Sequence, residues 1–389
     1  MIHPFKAVRP KRDKAYLVAT RSYISYTASE LEDKLENNPY TFLHVINPSA
    51  LAHEDIDTRF NAVRARYNAF WEEGIFLQDA KPGYYVYEQS TPKQTYRGII
   101  GLLEADSVKA GATLPHEKTI AQREELFAHY LEKVGFQAEP VLVFGAAREE
   151  YHELLDEICA DRAEYEFAST DKHVHKLWHV DDPRVVRLEA LLKEVETMYI
   201  ADGHHRLASS ARVAERLNDN TAAQGVLTLF MDEKQVGIES FERWFKLDDQ
   251  PFHISMLEST FDLQLLDGPS EDFSHCDFQM FFEGKWYGLS HISHSLDGLL
   301  STQILLDKVL KPVLGVVDER NDSRLTYVRQ TSEDQSRDMC ALGYTLGFRV
   351  PAVPLSLLKT IAEEGGSMPP KSTYIEPKLR SGLILHDFT

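Results

Sequence analysis

Five consecutive residues, Asp202, Gly203, His204, His205 and Arg206, crowd an acid, two imidazoles and a guanidinium around one glycine. Gly203 permits a tight turn that a bulkier residue would strain. Free N–H groups at a helix start, with Arg206 beside them, make an anion site best suited to phosphate. Asp202 could hold a metal or take a proton, and His204 or His205 could contact phosphates or an acceptor hydroxyl. The plainer alternative is a helix capped by Asp202 and followed by surface histidines. A second cluster is Pro115-His116-Glu117-Lys118-Thr119. Here Glu117 could ligate a metal or act as base, His116 could shuttle a proton, and Thr119 stands at a helix start suited to an anion. Its alternative is a loop in which Thr119 only caps a helix. A third set is Lys371-Ser372-Thr373 with Lys378, after Gly365 and Gly366. Lysine and hydroxyls after glycines can neutralise phosphate, although the glycine spacing is not that of a P-loop.

Other polar residues read as structural. His173, His175 and His179 share one face of an expected strand, which would suit a metal patch, but they read as residues flanking that strand. His44, in Phe42-Leu43-His44-Val45, reads as a satisfied core histidine. The chain holds no Gly-x-Ser-x-Gly, no Gly-x-Gly-x-x-Gly and no Cys-x-x-Cys. That disfavours a hydrolase elbow, a dinucleotide fold and a redox dithiol.

The elements that must position these groups follow from periodicity. Residues 198–201 are apolar and β-prone, so they predict a buried strand. Leu207, Ala211, Ala214 and Leu217 share one face of a helix that follows. Strands are expected at 15–19, 41–46, 84–89, 96–103, 140–144, 165–169, 173–180, 225–231 and 237–247. Thr27 with Glu30 forms a capping box for a helix, and 57–73 is an amphipathic helix stopped by Gly74. Thr119, with Gln122 at the box position, is expected to cap a helix closed by Gly135. Helices are also expected over 148–159 and from Pro183. The order is an α+β arrangement, not a regular βαβ alternation. A boundary is placed at 248–250 before Pro251, giving α+β regions 1–248 and 249–389. The tail Met368-Pro369-Pro370-Lys371-Ser372-Thr373 is expected to return from the second region to the Asp202–Arg206 corner.

With 389 residues, the chain is comfortable for two or three domains. Its 61 acidic residues against 42 basic ones give a net charge of -19, which argues against an extended nucleic-acid footprint. The three cysteines are odd in number and widely spaced, as in a reducing compartment. Residues 1–10 show no signal-peptide core, and no run approaches a membrane span of about 20 apolar residues. A cytoplasmic protein with no membrane partner is expected.

Laid end to end, these stretches resemble a bacterial and archaeal family designated DUF1015. The matching residues are Pro4-Phe5-Lys6-Ala7-Val8-Arg9-Pro10, Asn38-Pro39 with Phe42-Leu43-His44-Val45, 98–101, 115–119, 199–206, 368–378 and Ser381-Gly382-Leu383. The corner is also similar to the Gly-x-x-Arg region of the ParB/sulfiredoxin-like superfamily, whose members bind nucleoside phosphates at this strand–turn–helix. The resemblance implies a ParB/sulfiredoxin-like mixed core with an additional α+β C-terminal region. It also implies ATP or another nucleoside phosphate, Mg2+ on Asp202 or Glu117, and a small-molecule substrate. The implied activity is an ATP-dependent kinase of free L-serine giving O-phosphoserine. The alternative is a non-catalytic nucleotide-binding regulatory module. Assembly as a homodimer stays open. Two stretches depart from the family pattern. Arg21-Ser22-Tyr23-Ile24-Ser25 replaces a Pro-Pro-Tyr-Asp-Val-like segment, and Phe241-Glu242-Arg243-Trp244 replaces a His-Arg pair. His204 or His205 stands where a sulfiredoxin carries its reactive cysteine, so sulfinic acid repair is not implied.

Overall fold

Aromatic and β-branched residues make 84–104 a hairpin, and that hairpin is the middle of a large sheet. In the computed structural model, which describes residues 1–47, 54–247, 250–293 and 299–389, the fold is α+β and divides into two units. The first comprises 1–236 and 377–389, and the second 237–376.

The first unit holds a nine-stranded mixed sheet. Its strands are β1 (Ile2–His3), β2 (Tyr84–Ser90), β3 (Thr95–Glu104), β4 (Thr113–Leu114), β5 (Val141–Gly145), β6 (Tyr165–Ala168), β7 (Val174–Val180), β8 (Met198–Asp202) and β9 (Gly225–Asp232). They run β4-β8-β5-β9-β3-β2-β7-β6, with β1 beside β3. Pairs β4–β8 and β5–β9 are parallel, while β8–β5 is antiparallel with a bulge between Ile200 and Asp202. Such a bulge re-aims the end of a strand, here the end that carries Asp202. Helices α1 (Ile56–Glu72), α2 (Ala121–Val134), α3 (Glu149–Cys159), α4 (Arg184–Lys193) and α5 (His204–Arg216) accompany the sheet. Leu154, Leu155 and Ile158 of α3 join Leu188 and Leu192 of α4 in one core with Val86, Ile99, Val143, Ile200 and Phe230. Leu207 and Ala214 of α5 belong to the same core, which fixes the helix that starts at the corner.

The second unit is built on a six-stranded antiparallel sheet that includes Phe241–Phe245, Phe278–Phe282 and Leu346–Arg349. Glu242 and Arg243 are fully buried in it. Glu242 lies 3.5 Å from Arg349, and Arg243 lies 3.4 Å from Glu319. Trp244 donates its indole N–H to Glu242 at 2.7 Å. Burial pushes the Glu242 carboxyl up to about 7. The stretch that departs from the family pattern therefore serves the interior of this unit.

Several local expectations are corrected. Residues Ala15–Val18 and Leu43–Ile46 are short helices, not strands. They bury Val18, Phe42 and Val45 against Phe70, Phe76 and Phe136, so tertiary packing overrides their β-propensity. The single strand expected at 237–247 is two. Gly237–Glu239 pairs with Tyr374–Glu376, whereas Phe241–Phe245 enters the six-stranded sheet. That pairing moves the division to 236/237 and adds a second one at 376/377, instead of the expected 248/249. Residues 248 and 249 lie outside the described residues.

Removing one member of a buried ion pair strands its partner, which costs about 3–5 kcal/mol. Arg349→Ala should destabilise the second unit by about that amount at pH 8, read by denaturant unfolding followed by the fluorescence of Trp244 and Trp286. A loss below ~1 kcal/mol would contradict the burial described.

Candidate functional site at the end of the β8 strand

The corner forms because an apolar strand must stop where a helix begins. Strand β8 ends at Asp202, Gly203 turns with φ at 99°, and α5 starts at His204. Gly203 is the N-cap and brings no side chain to cap the first turn. Asp202 therefore does not serve as the cap. The first N–H groups of α5 keep the partial positive charge that favours an anion. A Cβ on Gly203 would stand 2.8 Å from Arg206 Nε. The glycine thus lets the guanidinium fold back over the turn.

Arg206 does not project alone over the helix start, as the sequence suggested. It donates to Asp202 Oδ2 at 2.7 Å and pairs with Glu139 at 2.9 Å. Lys378 reaches the other Asp202 oxygen at 3.3 Å. Burial would raise the Asp202 carboxyl, but Lys378 and Arg206 outweigh it and hold the group well below the usual carboxylate range. A carboxylate so stabilised is a poor base. Its role here is to gather two cations beside the helix start.

The second cluster meets this corner. The backbone N–H of His116 donates to His204 Nε2 at 3.3 Å, and the two rings meet edge to face at 4.5 Å. That bond leaves Nε2 without a proton, so a neutral His204 carries its proton on Nδ1. Nδ1 lies 3.9 Å from Glu117 Oε2. Of the adjacent His204 and His205, His204 is the buried one. Burial holds His116 down at about 4; burial and then the neighbouring His116 hold His204 at about 3. His116 Nδ1 is buried without a hydrogen-bond partner. Glu117 is partly exposed and stands at the mouth of this set.

Other expected groups lie elsewhere. Thr119 is not the N-cap of α2; Ile120 is, and the Thr119 hydroxyl bonds Glu124 instead. Glu124 in turn accepts from Arg212, and His205 stands close enough to help lower its carboxyl. Lys371, Ser372 and Thr373 belong to the second unit, whereas Lys378 belongs to the first. There Ser372 donates to the Pro369 carbonyl at 2.8 Å and Lys371 sits over the Phe241 ring. The tail that does return to the first unit is 377–389. Glu139 was missed from sequence. Its one signal is position: it stands two residues before β5, the antiparallel neighbour of β8.

Neither Asp202 nor Glu117 is arranged as an ion cage. Both Asp202 oxygens already face cations, and no group of three or more His, Cys, Asp or Glu among the described residues could hold a metal. These donors do not fit a protein-held divalent cation. His173, His175 and His179 serve the protein interior: His175 bonds Tyr87 at 2.7 Å, and His179 stacks on Tyr85.

A family model described as "Protein of unknown function (DUF1015)" matches residues 2–318. The chain belongs to the DUF1015 family. No curated protein matches it. Among solved structures, this DUF1015 chain is similar to a free serine kinase in complex with AMP. That likeness has 14% identity and a TM-score of 0.38, covering 73% of this chain and 91% of that one. It is also similar to SbnI with a C-terminal truncation from Staphylococcus aureus, at 12% identity and a TM-score of 0.40, covering 73% and 85%. A conserved hypothetical protein from Pyrococcus furiosus matches at 15% identity and a TM-score of 0.37, covering 72% and 91%. No described helix of this DUF1015 chain is long and apolar enough to cross a membrane.

Two predictions follow from the corner's geometry. Gly203→Ala should cost about 1–2 kcal/mol in stability, because a side chain is strained at this φ, and it should displace the Arg206 guanidinium. Denaturant unfolding reads the first effect. The second shows as a changed environment of Arg206 Nε–H in NMR. The other concerns acid. The unfolded chain takes up protons on His116 and His204 below about pH 6.5, while the native protein excludes them until about pH 4 and 3 respectively. Stability therefore falls as pH drops from 6.5 towards 4. His204→Gln should make that slope shallower by up to about 1.4 kcal/mol per pH unit, and an unchanged slope would contradict the neutral, buried imidazole.

Proposed function

We propose that this protein is an ATP-dependent phosphotransferase acting on a small hydroxyl-bearing metabolite, with free L-serine as the first candidate and O-phosphoserine as its product. The observation that carries this reading is the pairing of Arg206 and Lys378 on Asp202, beside the start of α5, whose N-cap is a glycine. Two cations and a set of backbone N–H groups at one place suit the phosphates of a nucleotide. Gly203 and Arg206 would cradle those phosphates, with Lys378 adding charge. Arg206 would stabilise the transferring group, where charge develops on the equatorial oxygens.

Proton transfer falls to Glu117. It is exposed enough to meet an acceptor, and the Nδ1–H of His204 faces it. His204 is the positioning residue, since its Nε2 is already occupied by the His116 backbone. In the transfer, the acceptor oxygen forms a bond to the γ-phosphorus as the bridging bond to ADP breaks. The hydroxyl proton passes to Glu117. Asp202, held ionised between two cations, takes no proton.

A second reading is a nucleotide-responsive module without turnover. It is favoured by 21–25, which carries no acid where the family pattern has one. Purified protein, ATP, magnesium and a panel of amino acids and small polyols separate the two. A phosphorylated product identifies the enzyme; tight nucleotide binding with no product from any acceptor sinks the kinase reading. Glu117→Gln should lower kcat by about 10²–10⁴-fold while nucleotide binding persists. Arg206→Ala should weaken nucleotide binding by at least about tenfold.

A further inference from the structure

Residues 377–380, which bring Lys378 to Asp202, have no regular secondary structure. A lysine on such a backbone needs an anchor close by. Two residues on, the side chain of Arg380 is 7% exposed and enters a polar socket. Asp171 accepts from its Nη2 with both oxygens, at 2.7 and 2.6 Å, and Ser169 Oγ accepts at 3.0 Å. His175 Nε2 accepts from Arg380 Nε at 3.3 Å.

One order of protons satisfies the socket, with Ser169 Oγ lying also 3.1 Å from the His173 carbonyl and 3.0 Å from His175 Nε2. The Ser169 hydroxyl donates to Asp171 at 2.5 Å, and the Tyr87 hydroxyl donates to Gln89 at 3.1 Å. Tyr87 is then the acceptor for His175 Nδ1–H at 2.7 Å. His175 Nε2 is left as a bare acceptor, turned towards a guanidinium. The socket therefore takes the planar fork of arginine, which an ammonium cannot reproduce. Beyond it the backbone is held independently. Ser381 pairs with Thr20, Leu385 pairs with Val8, and a Cβ on Gly382 would stand 2.5 Å from the Phe42 ring.

We propose that Arg380 is a positioning residue: seated in the Ser169–Asp171–His175 socket, it holds Lys378 against Asp202 and so sets the charge that the corner presents to phosphate. The second half of this statement rests on the corner being a nucleotide site; the first half does not.

The test uses the full chain and two readouts. The first is the acylation rate of Lys378 by an amine-reactive reagent, followed by mass spectrometry without nucleotide. Arg380→Gln should raise it several-fold as the ion pair with Asp202 opens, and Arg380→Lys should not restore it. Lys176, on β7, serves as internal control, and its rate should stay the same. An unchanged Lys378 rate in Arg380→Gln overturns the proposal, as does an equal rise at Lys176, which reports general loosening. The second readout is ATP affinity by calorimetry. Lys378→Ala and Arg380→Gln should each raise Kd by up to about tenfold, and the double variant should be no worse than Lys378→Ala. Penalties that add would mean that Arg380 does not act through Lys378. A wild-type protein that binds no ATP overturns the corner reading, while the acylation rates still decide whether Arg380 holds the lysine.

Discussion

Like charges do not assemble unaided. Two cations about 4 Å apart repel by about 4 kcal/mol at an effective dielectric of 20. Yet Arg206 and Lys378 share Asp202, with Glu139 on the far side of the guanidinium. The carboxylate makes that meeting favourable, and it stands at the bulged end of a buried strand. The sheet fixes the strand, the core contacts of Leu207 and Ala214 fix the helix, and Gly203 leaves room for the guanidinium. In a chain with a charge of -19, bringing two cations to one carboxylate needs such a scaffold.

The same arrangement separates two roles that one carboxylate cannot fill. A group stabilised by two cations keeps its charge and gives up basicity. In the proposed reaction the base is a separate group, Glu117, which is partly exposed and lies on a different segment. The buried pair of His116 and His204 lies between these acids. Both rings are neutral, so they add dipoles and shape to the corner without adding to its cationic charge.

Most of the corner was legible in the sequence. A buried strand, a glycine and an amphipathic helix have local signatures, and 198–216 folds as those signatures say. So do the hairpin at 84–104 and the capping box at Thr27. What failed depends on distant partners. Residues 15–18 and 43–46 become helical because aromatic side chains far along the chain pack on them. The break at Ser240 arises because 237–239 finds its partner at 374–376, which no local period reveals. Thr119 looked like a cap by spacing, but its hydroxyl bonds Glu124 and Ile120 is the N-cap. Glu139 and the socket of Arg380 carried no motif, since each is defined by what meets it in three dimensions.

The chain leaves the first unit after residue 236 and rejoins it at residue 377. The neck is a short β-ribbon, Gly237–Glu239 against Tyr374–Glu376. Translation thus yields Asp202 and Arg206 long before Lys378, with the whole intervening unit made in between. A nascent chain paused inside that stretch carries Asp202 and Arg206 without Lys378. The ribosome must pass residue 378 before both cations can reach Asp202, so synthesis of the intervening unit sets an interval between the two.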